Sequence, residues 1–385
     1  MELKTKSPLL RFDPAETETL KSLSAALFVG ARLWVASDEL NSGEQNSVER
    51  LSTADGEVFE NHKSFPLGEL IRLPAAGTNA DQEIDIEGMD FHDSHLWLVG
   101  SHSRKRKKVE PDDEGKDSKL IAKLSEPEVK SKGNRFILAR IPLVTTDGEQ
   151  ELRSPAEVST GSGQSLTASQ LRGGPEGNDL SDAIRHADGE GDVHLRRFID
   201  VPSKDNGLDV EGLAVAADKD SEKIVRVFLG LRGPVLRGWA VVLELAVDTS
   251  GPAALALTNF GPGGRAYRKH FLNLDGLGVR DLCFDGEDLL VLAGPTMNLD
   301  GPSAIYRWSD ALSARDETLV RGERLVRVLE VPTGRGADHP EGIALVPGSG
   351  RPRQVLVVYD SPAAKRTEEG PGTVRVDVFE LSPAG

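Results

Sequence analysis

A chain of 385 residues with 62 acidic against 46 basic side chains, a formal charge of -16, lacks the net basic face that nucleic-acid phosphates require. Its one cysteine, Cys283, excludes an intramolecular disulfide and, within Leu282-Cys283-Phe284, reads as a buried apolar residue. The first residues contain no apolar core of a signal peptide, and no run of about 18 apolar residues occurs anywhere. The expectation is therefore a cytoplasmic protein without membrane contact.

Taken in chain order, Pro8-Leu9-Leu10-Arg11-Phe12-Asp13-Pro14 predicts an isolated polar strand. Ala31 to Asp38 predicts an apolar strand, and Ser47-Val48-Glu49-Arg50-Leu51 an alternating one. A repeat then becomes visible. Asp85-Ile86-Glu87-Gly88-Met89, Asp209-Val210-Glu211-Gly212-Leu213 and His339-Pro340-Glu341-Gly342-Ile343 each open a strand-like segment, and Gly278-Val279-Arg280-Asp281-Leu282 is an altered copy. Ser24 holds the equivalent place in the first unit.

Behind each motif comes a near-continuous apolar piece, at 96–100, 227–231, 289–293 and 355–359, as expected of strands covered on both faces. A third, more alternating piece follows at 135–141, 240–245, 304–308 and 374–379, and a fourth, more polar one at 195–202, 270–274 and 325–332. Equivalent positions 24, 87, 211, 280 and 341 are separated by 63, 124, 69 and 61 residues. The long interval holds two insertions, 103–132 and 145–192, rich in charged and small residues, which read as flexible loops. The basic run Arg104-Lys105-Arg106-Lys107-Lys108 is followed at once by acidic residues and reads as a solvated part of the first.

Repeating units of four short strands, graded from apolar to polar, predict one all-β domain over 1–385: a five-bladed β-propeller of four-stranded blades with the Glu-Gly strand innermost. The last unit lacks its fourth piece, so the N-terminal segment is expected to close the last blade and remove an open edge.

In such meanders the loop entering the inner strand and the loop between strands two and three share a face. The entering loops supply Asp85 and Glu87, Asp209 and Glu211, Arg280 and Asp281, His339 and Glu341; the second set supplies Asp38 and Glu39, Ser101-His102-Ser103, Arg232 and Arg237, Asn298, and Asp360 and Ser361. Crowded carboxylates need neutralising by Arg280, Arg232, protons, a bound cation or a cationic ligand. Glu87, Glu211 and Glu341 are the candidate catalytic carboxylates and the candidate ligands of Ca2+ or Mg2+, and His102, at a strand end, is a candidate acid/base. Arg232, Arg280, Asp281, His339 and Asp360 are candidate substrate-binding residues. No motif for an organic cofactor is present. The bland alternative makes the glutamates architectural, hydrogen-bonded to neighbouring inner strands and channel water.

The pairs Asp85-Ile86-Glu87-Gly88 with Gly100-Ser101-His102-Ser103, Glu211-Gly212 with Gly230-Leu231-Arg232-Gly233-Pro234, Val279-Arg280-Asp281-Leu282 with Ala293-Gly294-Pro295, and Glu341-Gly342 with Tyr359-Asp360-Ser361 resemble the bacterial DUF3616 family over nearly the whole chain outside the insertions. The resemblance implies a propeller-like protein and no particular activity. The string Glu341-Gly342-Ile343-Ala344 is distantly similar to phytase-like esterase propellers. Two functional expectations stand together. One is a metal-dependent hydrolase holding a small polar or anionic phosphoester or sugar-like ligand at the axis; the other is a non-catalytic propeller that binds a ligand or a protein partner.

Overall fold

The computed structural model describes residues 4–76, 83–106, 115–124, 129–157, 165–186, 189–251, 254–297, 299–348, 350 and 353–382. Five antiparallel meanders account for the fold. The first runs Leu23–Val29, Arg32–Ser37, Ser47–Ser52 and Val58–Pro66; the second Ile86–His92, His95–Gly100, Leu138–Thr146 and Ser169–Leu171. The third runs Asp209–Ala217, Ile224–Leu236, Trp239–Asp248 and Tyr267–Leu272, and the fourth Gly278–Asp285, Asp288–Gly294, Ser303–Trp308 and Leu325–Val331. In the fifth, His339–Leu345, Gln354–Asp360 and Asp377–Glu380 are joined at the outer edge by Lys4–Lys6.

The five inner strands neighbour one another in a closed ring, the fifth against the first. The fold is a β-propeller, and its N-terminal strand completes the last meander. That closing strand lies at Lys4–Lys6, slightly ahead of the expected segment. Leu9–Arg11, within that segment, instead spans the seam, pairing with Thr373–Arg375 on one side and in parallel with Val58 and Phe59 on the other.

The apolar second strands are explained by the packing. Successive residues of each face two different neighbours: Leu96 and Leu98 enter the core shared with the first meander, whereas Trp97 and Val99 enter the core shared with the third. Likewise Leu290 and Leu292 face the fifth meander while Leu289 and Val291 face the third. Five apolar clusters therefore sit one between each pair of neighbouring meanders, and no strand-two face is left for solvent. Cys283 lies half-buried against one of them.

The described parts of the insertions are not loops throughout. Arg104–Lys105 pairs with Lys130–Ser131, and Asp179–His186 is a helix whose Leu180 and Ile184 are buried in the core between the second and third meanders. Lys107 and Lys108 lie outside the described residues. The expected polar strand at 195–202 is instead irregular, with a 3-10 turn at Arg196–Phe198, and the outer position of that meander is taken by Ser169–Leu171. Among the described residues no helix is long and apolar enough to cross a membrane.

In all five units the first hairpin changes register at the motif position, so that Ser24, Glu87, Glu211, Arg280 and Glu341 are each the unpaired extra residue of a β-bulge. A bulge bends the strand and re-aims one side chain. All five of these side chains line the cavity at the axis. The residue after the bulge meets the next inner strand: a Cβ at Gly88 would lie 2.7 Å from the Leu213 backbone nitrogen, and one at Gly212 would lie 3.1 Å from the Asp281 Cα. Gly88→Ala is therefore expected to lower stability by about 1–3 kcal/mol through overpacking, read as a reduced urea midpoint with unchanged slope.

Candidate functional site

The cavity at the axis has a volume of about 550 Å³ and is lined by eight carboxylate side chains against five of lysine or arginine, together with His339. Glu87, Glu211, Arg232, Arg280, His339, Glu341 and Asp360 are all brought together there. His102 and Asp281 are not among the lining residues, and their surroundings give the reasons.

His102 is fully enclosed: Nδ1 bonds the Gly100 carbonyl oxygen at 2.8 Å, and Nε2 accepts from Asn178 Nδ2 at 2.8 Å. Burial pushes its pKa down to about 4, so the ring is neutral at physiological pH. With both nitrogens committed, the expected acid/base role gives way to that of a strut between a strand end and the second insertion. Asp281 is likewise turned into the wall. Its carboxylate accepts the backbone N–H of Leu282 at 2.8 Å and that of Ile343, on the next inner strand, at 2.7 Å. Asp90 does the same for Val215 at 2.6 Å. These carboxylates tie inner strands together rather than bind substrate. Arg237, in an exposed turn, does not reach the cavity, and Asn298 lies outside the described residues.

Four of the five cations of the cavity, Lys105, Arg135, Arg232 and Arg280, are committed to carboxylates. Arg280 Nη1 donates to Glu211 at 2.9 Å and to both oxygens of Glu341 at 2.7 and 2.6 Å. Arg232 Nε donates to Asp209 at 2.8 Å and lies 2.7 Å from Glu211. Glu211 and Glu341 are thus bridged by one guanidinium instead of forming a metal-ligand set with Glu87. Burial pushes the Glu341 carboxyl up to about 8, with Arg280 opposing the shift and Glu211 adding to it. At the rim, His339 Nε2 is 3.1 Å from Asp300 Oδ1 and Nδ1 is 3.8 Å from Asp360; these carboxylates, Asp360 first, raise its pKa.

The opposite corner is organised by residues that the motif reading left out of the site. Arg135 donates to the two oxygens of Asp85 at 2.7 Å each, to Ser103 Oγ at 2.8 Å and to Glu83. Lys105 reaches Glu83 at 2.5 Å and Asp85 at 4.0 Å, and Lys132 also contacts Glu83. Burial raises the pKa of Glu83, but Arg135 and Lys105 outweigh it and hold the group well below the usual carboxylate range. Asp85 adopts a left-handed backbone, φ 60°, a conformation that costs a non-glycine residue energy and clusters at functional sites. Next to it, one oxygen from each of Asp38, Asp85 and Glu87 lies within 4.8 Å of the other two. Burial, with Asp85 and Glu211 adding repulsion, raises the Glu87 pKa well above normal, and burial with Asp360 and Asp85 does the same for Asp38.

One sequence signal could have pointed to this corner. Acidic residues alternate at 81, 83, 85 and 87, which in a strand share one face. Arg135 carried no such signal, because it was read as strand and sits in a 3-10 turn at Gly133–Arg135 that precedes Leu138–Thr146.

Residues 22–377 match DUF3616, described as protein of unknown function. The chain belongs to this family. No curated protein matches this DUF3616 chain. Among solved structures it is similar to a GH43 β-1,3-galactosidase with galactodeoxynojirimycin, at 7% identity and a TM-score of 0.42 over 95% of this chain and 94% of that one. It is also similar to an α-L-arabinofuranosidase of Podospora anserina in complex with cellotriose, at 10% identity and a TM-score of 0.40 over 100% of both chains. A GH32 β-fructofuranosidase of Bombyx mori in complex with sucrose gives 10% identity and a TM-score of 0.40; there 96% of this chain covers 64% of that one. None of these likenesses bears on the chemistry, which rests on the chain's own residues.

Two outcomes are expected from this charge distribution. Above about pH 8, where Glu341 is ionised, Arg280→Gln leaves it without its cation and should lower stability by about 3–5 kcal/mol, measured by urea unfolding. A carboxyl whose pKa is higher folded than unfolded binds its proton more tightly in the folded state, so Glu341 should make stability fall as pH rises from 4.5 to about 8. Glu341→Gln should flatten that part of the unfolding midpoint against pH, recorded in EDTA.

Proposed function

We propose that the axial cavity is a hydrolytic site for a small, neutral, hydroxyl-rich substrate of sugar-like chemistry. The observation that carries this reading is the unequal state of the two walls. Arg232 and Arg280 are committed to carboxylates, whereas Glu87 lines the cavity without a hydrogen bond or ion pair among the described residues. A phosphoester would bring more negative charge into a cavity that already has a surplus of it, with those arginines unavailable to receive it. Hydroxyl groups, by contrast, donate readily to unpaired carboxylate oxygens.

In the bond-breaking step the acidic corner of Asp38, Asp85 and Glu87 would hold the attacking water. Asp85, whose pKa burial raises against the opposing charge of Arg135, would accept a proton from it. Glu341, protonated up to about pH 8, would give its proton to the leaving oxygen. The carbon–oxygen bond to the leaving group breaks as the bond to water oxygen forms, and proton exchange with solvent resets both carboxyl groups.

A panel of aryl glycosides and aryl phosphate esters tests this. Turnover is expected for glycosides and not for phosphate esters, with a loss of about 100-fold or more in Asp85→Asn and in Glu87→Gln at unchanged circular dichroism. Turnover indifferent to both substitutions would remove the proposal. The bridging of Glu211 and Glu341 by Arg280, and of inner strands by Asp90 and Asp281, favours the second reading, a non-catalytic propeller with architectural carboxylates. That reading predicts ligand-dependent thermal stabilisation by sugars without turnover of any of them.

A further inference from the structure

Around the ring the bulge residues follow one another as Ser24, Glu87, Glu211, Arg280 and Glu341, returning to Ser24. Arg280 has a glutamate on each side and binds both. Glu87 stands one place beyond its reach, with Ser24 as its other neighbour. Its side chain lines the cavity in a residue only 8% exposed, and among the described residues its carboxyl makes no hydrogen bond or ion pair, although the charge of Arg232 is felt there. Ser24 is too short to reach it and instead donates to the Ile86 carbonyl oxygen.

Into this same sector come Asp38, from the end of a second strand, and Asp85, from the loop entering the next meander. Each places an oxygen within 4.8 Å of the others and of Glu87. Asp38 Oδ1 is also shielded from solvent without a hydrogen-bond partner. Arg135 holds both oxygens of Asp85 and so fixes its orientation, leaving each oxygen with lone-pair capacity for a further contact. Three carboxylates gathered in a mostly enclosed corner repel one another unless a positive charge enters.

The donor set selects the kind of charge. It contains oxygen only, with no imidazole or thiolate, which suits a hard cation rather than zinc. Calcium binds oxygen at about 2.3–2.6 Å, so ligands on opposite sides of one ion are about 4.6–5.2 Å apart. The span of the three oxygens fits inside that. Magnesium demands near-ideal octahedral geometry and is usually held by one or two carboxylates with several waters, whereas three carboxylates from separate elements suit the more flexible shell of calcium.

We propose that Asp38, Asp85 and Glu87 form a binding site for one divalent cation of the calcium class, completed by water from the axial cavity. The site deepens the hydrolase reading, since an ion there would hold the attacking water and lower its pKa. Cation binding is measured without substrate, so either idea can fail while the other stands.

The full chain, stripped with EDTA and desalted, would be titrated separately with calcium, magnesium and zinc chloride while melting temperature and heat of binding are recorded. One equivalent of calcium with a rise in melting temperature is expected, with magnesium at least tenfold weaker. Glu87→Gln and Asp38→Asn should each weaken calcium at least tenfold, whereas Asp300→Asn at the rim should leave it unchanged. Glu87→Gln keeps the side-chain shape and removes a buried carboxyl that makes no hydrogen bond or ion pair, so its metal-free form should melt no lower than the unsubstituted chain. A lost calcium response at that melting temperature therefore reports the site. Absence of a calcium response in the unsubstituted chain, a response surviving both substitutions, or a preference for zinc would overturn the proposal.

Discussion

Five strands converging on one axis leave room for very little, and the β-bulge at each entry is how this chain uses that room. An inner strand that kept strict register would alternate its side chains between the two neighbouring meanders, both apolar. The extra residue breaks the alternation once, at the same place in every unit, and one side chain is released from the interblade cores into the cavity. The small residue that follows in four of the five units is the counterpart of this: having bent the strand inward, the chain passes so close to the next inner strand that a methyl group is already too large at Gly88.

Once the side chains at the axis are chosen, electrostatics governs the rest. Carboxylates in an enclosed space stay ionised only with a nearby cation, and the ring supplies one, Arg280, placed where it serves two neighbours. Arg232 and Arg135 serve the adjoining entering loops through Asp209 and Asp85. Compensation is therefore local and runs out at the sector between Ser24 and Glu87. The asymmetry is one of placement rather than total charge: a symmetric ring of five glutamates would have no preferred direction, whereas this one has a neutralised side and an uncompensated side.

Much of this was legible in the sequence because the repeat carries geometry. The Glu-Gly motif, the continuous apolar run behind it and the polar strand end recur in register, and those features located the inner strands and most cavity residues. What escaped depended on contacts between units. Asp281 and His102 have polar side chains at the expected strand ends, yet a neighbouring backbone N–H and Asn178 claim them. Arg135 and Lys105 enter the site because an irregular turn and an insertion fold back over it. No periodicity records such a return. Glu341 and Glu211 look like Glu87 in the motif and differ only in what the next unit presents to them.

The seam at the outer edge has a further implication. Lys4–Lys6 pairs with Asp377–Glu380, partners more than 370 positions apart, and Leu9–Arg11 bridges to both flanking meanders. No local structure can form those pairings in advance, because the two ends meet only after the intervening meanders have assembled into a ring. Circular closure is thus the most non-local event in the fold. The geometry of the axis inherits that dependence, since Arg280 reaches Glu341, and Ser24 reaches Ile86, only across boundaries that the finished circle holds shut.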